Sequence, residues 1–283
     1  MHTTGLRIAV TGGSGELGRV LVPYLLSQGH EVVSVDRALP PHTAHHDGRT
    51  ARHMVADVTD FGQLAGALRG CDALVHLAAI RSPETHPDHE VYAVNTVSSY
   101  NALSAASLLG IDRVCLASSI NAIGGVFSRD PRYDYFPLDE AHPSYTEDPY
   151  SLSKWVLEQQ ADAFARRFPA MRIGSLRFHW LLENEETARR VTVESEAFAW
   201  RHLWAFTSLR AAARACLLAL TADYRGHEAF YIVAPRTAAA EPSLDLARRH
   251  FPDTPIRGAL DANAGFFSAA KAERILGWVH DRD

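Results

Sequence analysis

With 283 residues, 47% of them hydrophobic, the chain is long enough to bury one large core or a core with an added lobe. A formal charge of −5, with no long run of lysine and arginine, argues against a nucleic-acid or membrane surface and for a small-molecule partner. The three cysteines, Cys71, Cys115 and Cys216, stand far apart in apolar settings and read as buried thiols of a reducing compartment. The opening "MHTTGLRIAV" is too short and polar for a signal peptide, and no apolar run approaches bilayer length, so a cytoplasmic protein is expected.

From residue 6 to 118 short apolar runs alternate with longer amphipathic stretches, the pattern of a parallel sheet flanked by helices. The runs "LRIAVT", "EVVSV", "ALVHLAA" and "RVCLASS" are predicted strands; "LGRVLVPYLLSQG", "FGQLAGALRG" and "YAVNTVSSYNALSAASLLG" are predicted helices. "PPHTAHHDGRTARH" is a polar loop, and "VFSRDPRYDYFPLDEAHPSYTEDP" a long irregular one, whose Tyr133 and Tyr135 either line the site or simply pack. A helix follows from Tyr150 to about Phe168, and then the strand "MRIGSLRF". After Phe178 the order loosens: "SLRAAARACLLALTAD" is a helix, "EAFYIVA" a strand, and "SLDLARRHF" and "SAAKAERILGW" are helices. The expected architecture is a Rossmann-type, doubly wound parallel α/β sheet over residues 1–178. Residues 179–283 form mainly a small substrate-binding lobe, with some segments returning to the sheet.

The stretch "VTGGSGELG" joins the first strand to the first helix, with Gly12, Gly15 and Gly18 spaced to turn tightly and bring backbone N–H groups against a pyrophosphate. Asp36, closing the second strand, is placed to accept hydrogen bonds from a ribose diol and favours NAD. Arg37 beside it leaves NADP possible. Asp57, after "MVA", either contacts the adenine amino group or caps the helix that begins near Asp60. In "PYSLSK", Tyr150 and Lys154 share one face of a helix start, so the ammonium can favour the phenolate and make tyrosine a proton carrier; an ordinary surface pair is the alternative. His42, His45, His46 and His53 crowd one loop without zinc spacing, and no metal site is expected.

Taken together, "TGGSGELG", Asp36, "ADVTD", "HLAA", "VNT", "LASSINAIG", "DPYSLSK", "LRF" and "KAERILGW" resemble, in order and spacing, the extended short-chain dehydrogenase/reductase family, in its NAD-dependent epimerase/dehydratase branch. The resemblance implies Tyr150 as acid/base, Lys154 as the cation that lowers its pKa and holds the nicotinamide ribose, and Ser119, rather than Ser118, as the hydroxyl on the reacting oxygen. It places cofactor contacts at Gly12, Gly15, Glu16, Leu17 and Gly18, at Asp57 and Val58, and at Leu77, Ala78 and Ala79; Asn95 is either a further contact or structural. It implies an enzyme that oxidises a secondary alcohol with NAD, or an epimerase or dehydratase that reduces NAD only transiently; a non-catalytic dinucleotide-binding regulator is the rival of another class. It also implies a homodimer built on the tyrosine helix and the helix before it.

The chain departs from the family in the substrate region. Trp180 stands where an asparagine is usual, and His202 and Ser208 where acids are usual, so fewer polar diphosphate contacts remain. A substrate smaller than a nucleotide sugar is expected: a free sugar, a uronate or a cyclitol, as in the shorter uronate dehydrogenases. Candidates to face it are Arg81, Ser119, Asn121, Arg177, His179 and Arg201, the arginines as two-pronged grips for a carboxylate or phosphate, or else as structural ion pairs.

Overall fold

The computed structural model describes residues 5–40 and 43–281; His42 lies outside the described residues. Seven parallel strands form the central sheet: β1 (Arg7–Thr11), β2 (Glu31–Asp36), β3 (Arg52–Val55), β4 (Ala73–His76), β5 (Arg113–Ser119), β6 (Arg172–Phe178) and β7 (Gly226–Ile232). Their order across the sheet is β7-β6-β5-β4-β1-β2-β3. The helices are α1 (Gly18–Ser27), α2 (Phe61–Leu68), α3 (Asp88–Leu109), α4 (Pro149–Arg167), α5 (Glu185–Glu194), α6 (Glu196–Ala199), α7 (Leu209–Thr221), α8 (Ser243–His250) and α9 (Ala270–Leu276).

The strands read as continuous apolar runs because both faces of the sheet are covered. Ile8, Ala9 and Val10 of β1 are fully buried. On one face, Leu21, Leu25 and Leu26 of α1 pack with the alanine-rich α7 and with Trp278; on the other, α2, α3 and α4 bury Leu64, Leu103, Leu157 and Phe164. The chain winds outward from β1 through β2 to β3, then returns to place β4 on the other side of β1. The ends of β1 and β4 therefore diverge into a crevice at the topological switch point, where doubly wound sheets bind ligands.

Local chemistry fixes the ends of the helices that flank this crevice. α3 stops at Gly110, which takes a left-handed φ of 72° and returns its N–H to Ala106. α4 starts with Pro149 in its first turn and with Asp148 as cap, whose Oδ1 accepts the Ser151 N–H at 2.9 Å. α1 has no side-chain cap at its N-terminus.

Beyond Phe178 the chain divides its work. α7 and β7 return to the sheet, β7 pairing with β6, and the Trp278 indole N–H ties the end of the described chain to the Ala211 carbonyl at 2.9 Å. The remainder, with the loop between β5 and α4 and with Tyr231 of β7, builds a separate aromatic cluster containing Phe136, Trp204, Phe251 and Phe266. Tyr133 is buried in that cluster and Tyr135 is buried with its hydroxyl donating to Asp139 at 2.6 Å; neither lines the crevice, so both pack. α5 and α6 are additions to the expected elements: "EETARRVTVE" is polar overall and buries only Ala188, so its sequence carries little apolar signal. α3 also begins at Asp88, earlier than its apolar pattern, on a turn carrying Asp88 and Glu90. The three cysteines are buried and unpaired. No helix among the described residues is long and apolar enough to cross a membrane, and among them no group of histidine, cysteine and carboxylate side chains is arranged to hold a metal ion.

Candidate active site

A cleft of about 870 Å³ runs along the crevice, from Asp36 and Asp57 at one end to Tyr150, Trp180 and His202 at the other. Its floor is the glycine loop. Gly12 holds a φ of +72°, and a Cβ there would lie 2.8 Å from the Ala78 nitrogen; a Cβ on Gly18 would lie 2.4 Å from the Gly12 carbonyl oxygen. Only bare backbone fits both places, and it opens directly onto the uncapped start of α1, an arrangement suited to an anionic diphosphate. Gly15, Glu16, Leu17, Val58, Leu77, Ala78 and Ala79 all line the cleft. Asp36 is held rigidly at its rim, Oδ2 accepting the Ser14 N–H at 2.9 Å and Oδ1 the Arg37 N–H at 2.7 Å.

The two readings of Asp57 separate here. α2 is capped by Asp60, which accepts the Gln63 N–H, whereas the Asp57 carboxylate takes the hydroxyl and N–H of Thr59 and faces the cleft. Those hydrogen bonds hold its pKa below the usual carboxylate range. Asn95, by contrast, does not line the cleft. Its amide clamps Ile80, accepting the Ile80 N–H at 2.8 Å and donating to the Ile80 carbonyl at 3.0 Å and to Ser153 at 3.0 Å. It pins the loop after β4 to α4.

At the other end Ser119, the last residue of β5, presents its hydroxyl to that of Tyr150 on the first turn of α4, within hydrogen-bond reach. Phe127 meets the phenol ring edge-on at 5.7 Å. Ser118 turns away to donate to Glu158 at 2.6 Å, so Ser119 is the serine beside the phenol. No hydrogen bond joins Lys154 to the phenol, and burial sets the direction of the phenol's shift. Burial raises the Tyr150 pKa; the Ser119 hydrogen bond opposes that, Asp148 adds to it and Arg81 counters it. Lys154 instead donates to the Ala117 carbonyl at 2.7 Å, its Nζ 5.6 Å from the phenol centroid. Burial brings Lys154 down to about 8, with Glu158 partly restoring it.

The candidate pocket residues divide in the same way. Arg81, Ser119, Asn121 and His179 line the cleft; Arg201 does not, because its guanidinium donates to the carbonyls of Ser128 and Arg129. Arg177 is also excluded, buried and two-pronged on Glu158 at 2.9 and 2.8 Å. Arg81 reaches across the mouth to Glu16 at 2.6 Å. His179 accepts the Trp180 N–H on Nδ1 at 2.6 Å, so its proton sits on Nε2, which faces the His202 carbonyl at 2.9 Å.

Residues 8–192 match the NAD dependent epimerase/dehydratase family, with the glycine loop, Ser119, Tyr150 and Lys154 inside the matched span. The chain belongs to that family. Its members are NAD(P)-dependent dehydrogenases and epimerases, and the chain is an enzyme of this kind. L-arabinose 1-dehydrogenase (NAD(P)(+)) of Haloferax volcanii is 30% identical over 205 residues, 70% of this chain and 76% of that protein. Among solved structures, MoeE5 in complex with UDP-glucuronic acid and NAD has a TM-score of 0.73 at 22% identity, covering 98% of this chain and 94% of that one. Glucuronic acid dehydrogenase from Chromohalobacter salexigens has a TM-score of 0.69 at 21% identity, covering 98% and 85%. Both share the fold.

In this epimerase/dehydratase-family chain, Phe127 and Val126 join the site without any warning in the sequence, since "GGVFS" carries no motif. Trp180 and His202 line it too, and their positions were legible as departures from the family.

Two buried histidines make the fold acid-sensitive. Burial, reinforced by Lys154, lowers His76 to about 3, and burial, reinforced by His202, lowers His179 to about 3. Unfolded imidazoles take up protons below about pH 6.5 while these two stay neutral, so protons favour the unfolded chain. Stability is therefore complete above that pH and lost as pH falls from it toward 3, by about 1.4 kcal/mol per unit for each histidine. Urea midpoints across this range test it; a flat profile from neutrality to pH 5 contradicts it.

Proposed function

We propose that this chain is an NAD-dependent oxidoreductase that oxidises a secondary alcohol of a small polyhydroxylated substrate, with Tyr150 as the base. One observation carries the reading: the Ser119 and Tyr150 hydroxyls converge at one end of a cleft whose floor is a glycine cradle that only bare backbone can form. NAD, when bound, supplies the acceptor for the hydride that leaves the alcohol carbon. Gly12, Gly15 and Gly18 would hold its diphosphate with backbone N–H groups, Asp36 its adenosine ribose, and Asp57 and Val58 its adenine end. Ser119 and Tyr150 hydrogen-bond the alcohol oxygen, and Tyr150 takes its proton. Lys154, on the same helix face, supplies the nearby positive charge that stabilises the phenolate so formed.

Incubating the protein with NAD and a panel of sugars, uronates and cyclitols is expected to give a steady rise in NADH absorbance with at least one of them. Conversion with flat absorbance would establish the epimerase reading instead.

The homodimer belongs to the same proposal. Tyr92, Val97, Tyr100 and Leu108 of α3 and Trp155 of α4 are exposed apolar side chains on adjoining helices, a surface suited to pairing with a second copy. Light scattering is expected to give twice the mass of 31.1 kDa; a monomer mass refutes the dimer.

A further inference from the structure

The far end of the cleft is unusual in what its charges are doing. Trp180 and His202 form one wall, their rings stacked at 4.9 Å and 25°, with the indole 40% exposed. Ser119, Asn121, Phe127 and Tyr150 line the cleft with them. The side-chain polar groups are hydroxyls, an amide and the imidazoles of His179 and His202, set among aromatic surface.

Every guanidinium and ammonium within reach of this end already has an ion-pair or hydrogen-bond partner. Arg177 is locked two-pronged on Glu158 behind the wall, and Arg201 on two carbonyls outside it. Arg81 pairs with Glu16 at the mouth, and Lys154 donates to Ala117. Both ring nitrogens of His179 have partners. Arg37 lies at the opposite end, beside Asp36. Among the described residues lining the substrate end, no guanidinium or ammonium is without a partner.

A carboxylate or phosphate entering here would give up its water and gain a two-pronged grip only by breaking one of these pairings, a cost of several kcal/mol. Neutral hydroxyls exchange water for Ser119, Asn121 and Tyr150 at little net cost. An aromatic wall with a few convergent polar groups suits a ring with one apolar C–H face and a polar edge.

We propose that the substrate is an uncharged polyhydroxylated ring, a neutral aldose or cyclitol, seated with its C–H face on the Trp180 indole, and that uronates and sugar phosphates are rejected. This rests on the oxidoreductase reading above and narrows its substrate class.

The test pairs each neutral sugar with its charged counterpart: galactose with galacturonate and galactose 6-phosphate, and glucose with the corresponding two, with arabinose as a further neutral substrate. All are assayed with NAD for NADH formation. The neutral member of at least one pair is expected to have a kcat/KM about 100-fold or more above its charged partners, the discrimination that an uncompensated buried charge produces. Trp180→Ala is expected to raise KM for the neutral sugar roughly tenfold with a smaller change in kcat, and Trp180→Phe to recover most of it, as loss and restoration of an aromatic platform require. Calorimetric titration of the sugar into the protein with NADH present reads the same loss as binding, independently of turnover. Equal or faster oxidation of the uronates overturns this inference and leaves the oxidoreductase reading standing. So does an unchanged KM in Trp180→Ala for the seating on the indole. NADH formed with neither neutral nor charged alcohols overturns both.

Discussion

Tyr150→Phe is expected to lower kcat for alcohol oxidation by about 10²- to 10⁴-fold, the usual worth of a positioned general base. The substitution removes one oxygen and little else. The ring keeps its edge-on contact with Phe127 at 5.7 Å, and the hydroxyl's partner is the Ser119 side chain, so the loss in stability is about 1 kcal/mol. Cofactor affinity, which the proposed reading assigns to the glycine loop and Asp36 at the other end of the cleft, is expected to change little. The pH profile is the more telling readout. Burial raises the Tyr150 pKa, so the phenolate is scarce at neutrality and the oxidation rate of the parent protein rises with pH into the alkaline range. The variant's residual rate is expected to lose that rise. If Tyr150→Phe keeps both the parent rate and its slope, Tyr150 is not the base, and the proposed chemistry fails with it.

What the sequence discloses about this site, and what it conceals, follows from the distance between partners along the chain. The glycine loop is legible because its requirement is local: Gly12 and Gly18 are excluded from bearing a Cβ by Ala78 and by the loop itself, directly after a strand and before a helix. Tyr150 and Lys154 are legible for the same reason, one turn apart on α4. Asp57 and Asp60 are ambiguous as letters, because each precedes a helix by a few residues; only the hydrogen bond from Gln63 decides which one caps. Arg201 is misplaced because its acceptors, the carbonyls of Ser128 and Arg129, lie in a distant loop and carry no side-chain signature. The setting of Lys154 is concealed for a similar reason. Adjacency on a helix face places Lys154 beside the phenol, but its acceptor, the Ala117 carbonyl of β5, lies far away in sequence and carries no side-chain signature, and the burial that raises the phenol is equally invisible in the letters.

Glu158→Ala is expected to destabilise the protein by about 3–5 kcal/mol, because it leaves the Arg177 guanidinium charged and unpaired in the interior. The side chains of Arg177 and Glu158 are only 7% and 5% exposed, and Glu158 also accepts the Ser118 hydroxyl, so water cannot readily take the carboxylate's place. The same carboxylate lies one helical turn beyond Lys154 and supports its charge. Without it, burial acts on the ammonium unopposed and the Lys154 pKa falls further below about 8, toward neutrality. Glu158 is therefore expected to act on stability through Arg177 and, under the proposed chemistry, on the reaction through Lys154, and a second substitution separates the two. Removing the stranded cation as well, in Glu158→Leu/Arg177→Met, replaces a buried ion pair with apolar volume, an exchange that is often neutral or stabilising. The double variant is expected to recover most of the unfolding midpoint lost by Glu158→Ala, while its catalytic rate stays low and the lower limb of its pH profile stays displaced. A double variant as unstable as the sum of its single changes would show that the pair is not coupled. Recovery of stability and rate together would confine Glu158 to holding Arg177 and remove it from any influence on Lys154.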